Sequence, residues 1–277
     1  MSKIIFITGV SSGLGRGMAK AALDHGYSVV GTVRKDTDQK EFNSLKPGSS
    51  FAKILDITDS KKVFSTIAEV EKEIGPIDVL INNAGYGQEG TIEESTMQHL
   101  RDQFEVNVFG VVSAIKGVLP FMRQRRRGHI INVTSMGGLM TIPGVGFYHG
   151  SKFAVEGITG SLAKEVKGFG IHVTALEPGQ FRTDWAGRSM VRAARTISDY
   201  DELFAPIRAA REAKSGKQQG DPYKAGLAVL KLIESSKPPT HLILGSDGLE
   251  FVRRDLKALE TEIAEWEDVS RSTNFDE

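Results

Sequence analysis

The apolar run Lys3-Ile-Ile-Phe-Ile-Thr8 breaks straight into Gly9-Val10-Ser11-Ser12-Gly13-Leu14-Gly15, and a helical pattern follows from Leu14 to His25. No other stretch limits the fold so strongly. A strand that turns through glycines into a helix is how a βαβ unit begins. The glycines permit a tight turn and let backbone N–H groups reach a pyrophosphate, and the helix N-terminus favours negative charge there. Standing alone, such a cluster would be no more than a turn. Its place between strand and helix gives it weight. The spacing is Gly-x-x-x-Gly-x-Gly.

The rest of the chain keeps the same rhythm. Strands are expected at 27–33, 51–55, 77–81, 129–133, 171–176 and 241–244, with helices at about 59–74, 96–123 and 147–167. Strands with little polar alternation, separated by helices, belong to a parallel sheet covered on both faces. Right-handed crossovers make it doubly wound. The expectation is one α/β domain over residues 1–277: a seven-stranded parallel sheet in three α/β/α layers. Two segments depart from the rhythm. Residues 184–220 carry helical patches and no expected strand, and follow the sixth strand at the ligand-binding edge, so they are read as a substrate lid. Residues 249–277 read as an amphipathic helix with a polar tail, for packing or oligomer contact.

Composition removes several function classes. The chain has 277 residues with 35 basic and 35 acidic side chains, so a nucleic-acid binder driven by net positive charge is not expected. The run Arg123-Gln-Arg-Arg-Arg127 falls at a helix C-terminus, where cations complement the dipole. There are no cysteines, so thiolate catalysis and cysteine-bound metals are excluded. His129, His149 and His172 have no metal-ligand spacing, and no metal is expected. The stretch 106–122 is interrupted by Asn107, Lys116 and Pro120, which reads as a buried helix rather than a membrane span. With only Ile4 to Ile7 as an apolar start, no signal peptide is expected, and a cytoplasmic protein without membrane partners is the reading.

The chemistry lies further along. Tyr148 and Lys152 are four apart on a helix and share a face. A free phenol titrates near ~10, and a neighbouring ammonium favours the phenolate. Tyr148 then serves as general acid toward a carbonyl and general base toward an alcohol. Ser135, just past the fifth strand, is placed to steady a developing alkoxide.

Taken together, Thr8 to Gly15, Asp56, Asn82-Asn83-Ala84-Gly85, Asn107, Ser135, Tyr148-x-x-x-Lys152 and Pro178-Gly179 stand in an order that resembles the short-chain dehydrogenase/reductase family. The resemblance covers about residues 3–183 by motif and reaches about 248 by order of elements. It implies a Rossmann fold and a hydride-transferring oxidoreductase. The catalytic set implied is Asn107, Ser135, Tyr148 and Lys152, with Lys152 also holding the nicotinamide ribose and Asn107 supporting a water-linked proton path. The cofactor-binding set implied is Thr8, Gly9, Ser11, Ser12, Gly13, Leu14, Gly15, Arg34, Lys35, Asp56, Ile57, Asn82, Ala84, Gly85, Asn107, Tyr148, Lys152, Pro178, Gly179, Phe181 and Thr183. Local sequence alone reads Asp56 as a turn or N-cap aspartate; the resemblance gives it the adenine.

The second strand ends Gly31-Thr32-Val33-Arg34-Lys35. The acid that would hold the ribose 2′-hydroxyl of NAD is replaced by two cations, and Arg34 can meet a phosphate with a fork of donors. NADP(H) is therefore expected over NAD(H), with Asp36 and Asp38 close enough to keep NAD(H) as the alternative. Expected substrate contacts are Tyr86, Ser135, Met136, Leu139, Phe147, Tyr148, Gln180 and Trp185, for a small-molecule carbonyl or alcohol. The rival function is an NADP(H)-binding sensor without turnover; relatives of that kind tend to lose the Tyr–Lys pair, which is present. A nucleotide-sugar enzyme is disfavoured by the glycine spacing. Homodimers or homotetramers are the family's habit.

Overall fold

The first strand shows why this sheet needs cover on both faces. All four residues of β1, Ile4–Ile7, are buried. Ile5 and Ile7 enter one apolar cluster, and Ile4 and Phe6 enter another. Alternate side chains of a strand point to opposite faces, so each face must meet its own layer of helices. Each fully buried large apolar side chain contributes about 1.5–3 kcal/mol.

The computed structural model describes residues 2–185, 187 and 189–275. In chain order its elements are β1; α1, Gly13–Asp24; β2, Ser28–Val33; α2, Asp36–Asn43; β3, Ser50–Ile54; α3, Ser60–Glu73; β4, Ile77–Asn82; and β5, Gly87–Glu89. Then come α4, Met97–Phe104; α5, Gly110–Arg125; β6, Gly128–Val133; α6, Gly146–Val166; β7, Ile171–Pro178; and β8, Met190–Arg192. The chain continues through α7, Asp201–Lys214; α8, Pro222–Glu234; β9, His241–Leu244; α9, Ser246–Glu265; and α10, Glu267–Arg271.

Seven strands form one parallel sheet in the order β3-β2-β1-β4-β6-β7-β9. Met18 and Ala22 of α1 and Val229 of α8 pack on one face. Val63 and Ile67 of α3, Val111 and Val118 of α5, and Val155 and Leu162 of α6 pack on the other. The winding reverses between β1 and β4, which is where sheets of this kind bind ligands, beyond the strands' carboxyl ends.

Three sequence expectations change here. The segment read as strand-free contains β8, which pairs in parallel with β5 as a second, two-stranded sheet. Both strands have three residues, too few for a hydrophobic pattern to mark them. The C-terminal helix starts at Ser246, ahead of the expected 249. The long helix after Thr96 contains a π-helical segment, Glu105–Phe109, between α4 and α5. Within Met97–Arg125 this helix holds an 18-residue stretch long and apolar enough to cross a membrane, with a mean hydropathy of 1.4 over that stretch. Its Val111, Ala114, Ile115, Val118 and Met122 are instead buried in the core.

Part of the arginine run makes contacts within the molecule. Arg125 makes a bidentate pair with Glu71 at 2.5 and 3.0 Å. Arg126 ends α5 in a left-handed conformation (φ 57°) and donates to the Gly168 carbonyl at 2.7 Å.

Candidate active site

The glycine turn is built by steric demand. Gly9 and Gly13 hold φ of +73° and +61°, a region that side chains with a Cβ rarely enter. At Gly15 the constraint is space. A Cβ there would lie 2.1 Å from the Gly9 carbonyl oxygen and 2.4 Å from the Asn83 side-chain nitrogen. Asn83 explains the crowding: its side-chain amide donates to the carbonyls of Thr8 and Gly9 at 2.9 and 2.8 Å. Thr8 is buried, and its hydroxyl oxygen accepts from the backbone N–H groups of Asn83 and Ala84, both at 2.9 Å. The turn after β1 is thus clamped to the end of β4.

This clamp forms one wall of a cavity of about 650 Å³ along the sheet's carboxyl edge. Of the expected cofactor residues, Gly9, Ser11, Ser12, Gly13, Leu14, Arg34, Asp56, Ile57, Ala84, Gly85, Tyr148, Lys152, Pro178, Gly179, Phe181 and Thr183 line it. Thr8, Gly15, Lys35, Asn82 and Asn107 do not. Thr8 and Gly15 act from behind by shaping the turn. Lys35 is exposed at the N-cap of α2. Asn82 is buried and donates its side-chain amide to Asn132 at 2.8 Å, and Asn132 in turn donates to Thr159 at 2.8 Å. It braces β4, β6 and α6, not a ligand. Asp36 and Asp38 occupy the first turn of α2, where the helix dipole favours them, and line no part of the cavity. Asp56 accepts from the Thr58 amide and hydroxyl, at 3.0 and 2.8 Å; these bonds, with Arg34 nearby, hold its carboxyl below the usual range.

Ser135, Tyr148 and Lys152 come together at the centre of the cavity. Ser135 follows β6; its hydroxyl accepts from the Gly137 amide at 3.0 Å. Tyr148 is buried on α6. Burial pushes its phenol up to about 12, against the lowering effect of a hydrogen bond with Ser135. Lys152 lies one turn on, its Nζ 5.7 Å from the Tyr148 ring centroid and donating to the Val133 carbonyl at 2.9 Å. Burial pushes this lysine down to about 8, with Glu156 opposing. The expectation that an ammonium lowers the phenol is therefore corrected for the protein alone: desolvation is the larger effect, and Tyr148 is held protonated. Asn107 sits in the π-helical segment. It donates to the Tyr86 carbonyl and the Ser151 hydroxyl, both at 3.1 Å, and accepts from the Tyr86 amide at 3.2 Å. It positions the wall and does not form it. π-Bulges recur at functional sites.

Of the expected substrate contacts, Tyr86, Ser135, Met136, Tyr148, Gln180 and Trp185 line the cavity. Leu139 and Phe147 do not. Phe147 precedes Tyr148 on α6 and is turned about 100° from it; after the short turn Met136–Gly138, Met140 rather than Leu139 faces the cavity.

Several lining residues escaped sequence reasoning. Val106, Ile142, Val145 and His149 come from the body. His149 is buried, shares the cavity with Tyr148 at 6.1 Å between rings, and ties the loop before α6 in place. It accepts from the Ile142 amide at Nε2 (3.0 Å), so Nδ1 donates to the Gly137 carbonyl (2.7 Å), and burial lowers its pKa. Ile207, Ala210, Arg211, Lys214 and Gln218 come from α7 and the loop after it. Trp185, with its ring 5.1 Å from that of Tyr148, also belongs to this covering segment. Glu89 anchors the cover: it is buried and paired with Arg192 at 3.4 Å, Arg208 at 3.5 Å, and Arg211.

Comparison with known proteins agrees with this geometry. The family model described as short chain dehydrogenase matches residues 3–192. The 3-ketodihydrosphingosine reductase of Bacteroides thetaiotaomicron is 38% identical, over 88% of each chain. The NADPH-dependent 3-dehydrocapnine reductase of Ornithobacterium rhinotracheale is 35% identical, over 73% of this chain and 74% of that one. A crystal structure of a short-chain dehydrogenase from Streptomyces avermitilis superposes with a TM-score of 0.92 at 36% identity, covering 99% of both chains.

Proposed function

The chain belongs to the short-chain dehydrogenase family, and from that premise we propose that it is an NADP(H)-dependent reductase of a ketone or aldehyde, with Tyr148 as the proton donor. The observation that carries this reading is the convergence of Ser135, Tyr148 and Lys152 on the cavity that also holds the glycine turn. The turn fits a dinucleotide because Gly9 and Ser11 to Leu14 line the cavity at the N-terminus of α1, where a pyrophosphate is favoured. Gly9 and Ser11 to Leu14 would hold the pyrophosphate, Asp56 and Ile57 the adenine, and Ala84 and Gly85 the adjoining ribose. Pro178, Gly179, Phe181 and Thr183 would hold the nicotinamide end. Arg34 lines the cavity where β2 ends, while Asp36 and Asp38 do not, which favours the 2′-phosphate of NADP(H). When bound, this cofactor supplies a hydride.

The residues of the chain supply the rest. Tyr148, protonated at neutral pH, donates to the carbonyl oxygen as negative charge develops there. The Ser135 hydroxyl steadies the same oxygen. Lys152, next to the ring, favours the phenolate that remains. Trp185 and α7 exclude water. Two relatives are named as reductases of a 3-keto and a 3-dehydro compound, which supports reduction as the direction and a ketone as the substrate. The mixed lining, apolar at Met136, Met140, Ile142 and Ile207 and cationic at Arg211 and Lys214, suits a substrate with an apolar body and a polar end.

The test is NADPH oxidation against a panel of 3-ketones and aldehydes of graded chain length, beside Tyr148→Phe. Tyr148→Phe is expected to lose about 10²–10⁴-fold in kcat, with NADPH affinity retained. Turnover that survives the substitution would overturn the role of Tyr148. NADPH binding without turnover of any panel member would favour a sensor.

A further inference from the structure

Behind the catalytic helix lies a second cluster of chemistry-bearing groups that the reductase reading does not use. Glu156 of α6, Glu177 of β7 and His241 of β9 present ligand atoms that all lie within 4.8 Å of one another. Three separate elements supply them, so the packing of α6 on the edge of the sheet fixes the arrangement. Glu177 is fully buried and Glu156 is 8% exposed. Neither oxygen of Glu156 has a hydrogen-bond partner, nor has Oε2 of Glu177. Thr134 is near Glu156 but donates its hydroxyl to the Leu176 carbonyl at 3.1 Å. Lys152, one helical turn away, spends its ammonium on the Val133 carbonyl. Neither carboxylate pairs with a lysine or arginine among the described residues.

Two buried carboxylates without such partners are costly, because desolvation disfavours each charge and each repels the other. Burial accordingly raises the pKa of both. Something positive must enter. His241 is positioned to help: its Nδ1 lies 2.7 Å from Oε1 of Glu177 and 3.6 Å from Oε2 of Glu156. Its side chain is 53% exposed, so the cluster opens to solvent on that side.

We propose that Glu156, Glu177 and His241 form a binding site for a divalent transition-metal ion, separate from the reductase cavity. The donor set is two carboxylates and one imidazole, which suits Zn²⁺, Mn²⁺, Fe²⁺ or Co²⁺ better than the all-oxygen preference of Ca²⁺ or Mg²⁺. Ligand bonds of about 2.0–2.2 Å put tetrahedral ligand atoms roughly 3.4 Å apart. The separation of His241 and Glu156 is already near that value. The shorter separation of His241 and Glu177 is that of a hydrogen bond, so the ion replaces the proton between them and that proton leaves to solvent. The ion's two charges match the two carboxylates, and the half-exposed histidine leaves the remaining coordination position to water.

The experiment is titration of untagged, chelator-treated protein with Co²⁺, read by the visible d–d bands, together with Zn²⁺ titration by calorimetry and the melting temperature in Zn²⁺. One ion per chain is expected, with a rise in melting temperature that follows occupancy. Glu177→Gln and His241→Ala should each weaken binding by at least about tenfold, and the surface change Glu262→Gln should not. His241 is exposed, so His241→Ala tests the site in a chain whose core is untouched. No Co²⁺ bands and no Zn²⁺ stabilisation in the native protein would overturn the proposal and leave the carboxyl pair held by protons and His241 alone. Binding that persists undiminished in both variants would overturn it equally, by placing the ion elsewhere.

Discussion

Asn107 grips the backbone of Tyr86 at both of that residue's polar atoms, accepting from its N–H at 3.2 Å and donating to its C=O at 3.1 Å. The carbonyl is shared with Gln103, whose amide donates at 2.9 Å, but the N–H depends on Asn107. Asn107→Leu should therefore strand a partly buried donor and cost about 1 kcal/mol, read as a lower melting temperature. Asn107→Asp keeps the acceptor and loses the donors, so its melting temperature should fall between the two. An unchanged melting temperature in Asn107→Leu would remove the positioning role.

Lys152 makes a prediction in pH. Burial lowers it from 10.5 to about 8, so the unfolded chain holds more protons than the folded one between those values. Stability attributable to this group therefore rises as pH increases from about 8 toward 10.5. Tyr148, raised from 10.0 to about 12, acts with the opposite sign but only above pH 10. Calorimetry should find that Lys152→Met is more stable than the native protein below pH 8. The gap should narrow from pH 8 to 10. A pH-independent difference would refute the buried-ammonium account.

Arg34 should decide the cofactor. Arg34→Ser is expected to weaken NADPH binding by about tenfold or more, the worth of one charge-assisted phosphate contact, and to leave NADH binding nearly unchanged. Paired titrations with both nucleotides by fluorescence provide the check. Equal losses for the two would mean that Arg34 supports the wall rather than reads the phosphate.

Glu89 holds three arginines of the covering segment. Glu89→Gln removes the one buried carboxylate that balances them, a loss of about 3–5 kcal/mol where the pair is well buried. The expected result is faster proteolytic cleavage within α7 and a raised KM, with a smaller change in kcat. Limited proteolysis followed by mass spectrometry locates the cut.

How much of this could be read in advance follows from where each signal resides. The seven strands of the main sheet were legible because Ile4 to Ile7 and their counterparts are short, mostly apolar runs rich in β-branched residues. The glycine turn and the Tyr148–Lys152 spacing were legible because local geometry needs those residue types. β5 and β8 were not: Gly-Gln-Glu and Met-Val-Arg are strands only because they pair with each other. α8 does carry a local start signal, Asp221 capping the amides of Tyr223 and Lys224 ahead of Pro222, and deserved assignment from it. The state of Tyr148 could not be read from its neighbour in sequence, because burial by the whole fold outweighs a single lysine. Leu139 and Phe147 failed as pocket residues for a related reason: apolar character near a site does not say which way a side chain turns.

The pairing of Gly87 with Met190, Gln88 with Val191 and Glu89 with Arg192 gives the covering segment one sewn edge. Arg208 and Arg211 tie α7 to Glu89 on that same edge, and the Trp185 ring lies beside Gly87 and close over the Tyr148 ring. One short seam therefore carries both α7 and the aromatic roof of the reacting groups, and a change in the seam would shift the two together.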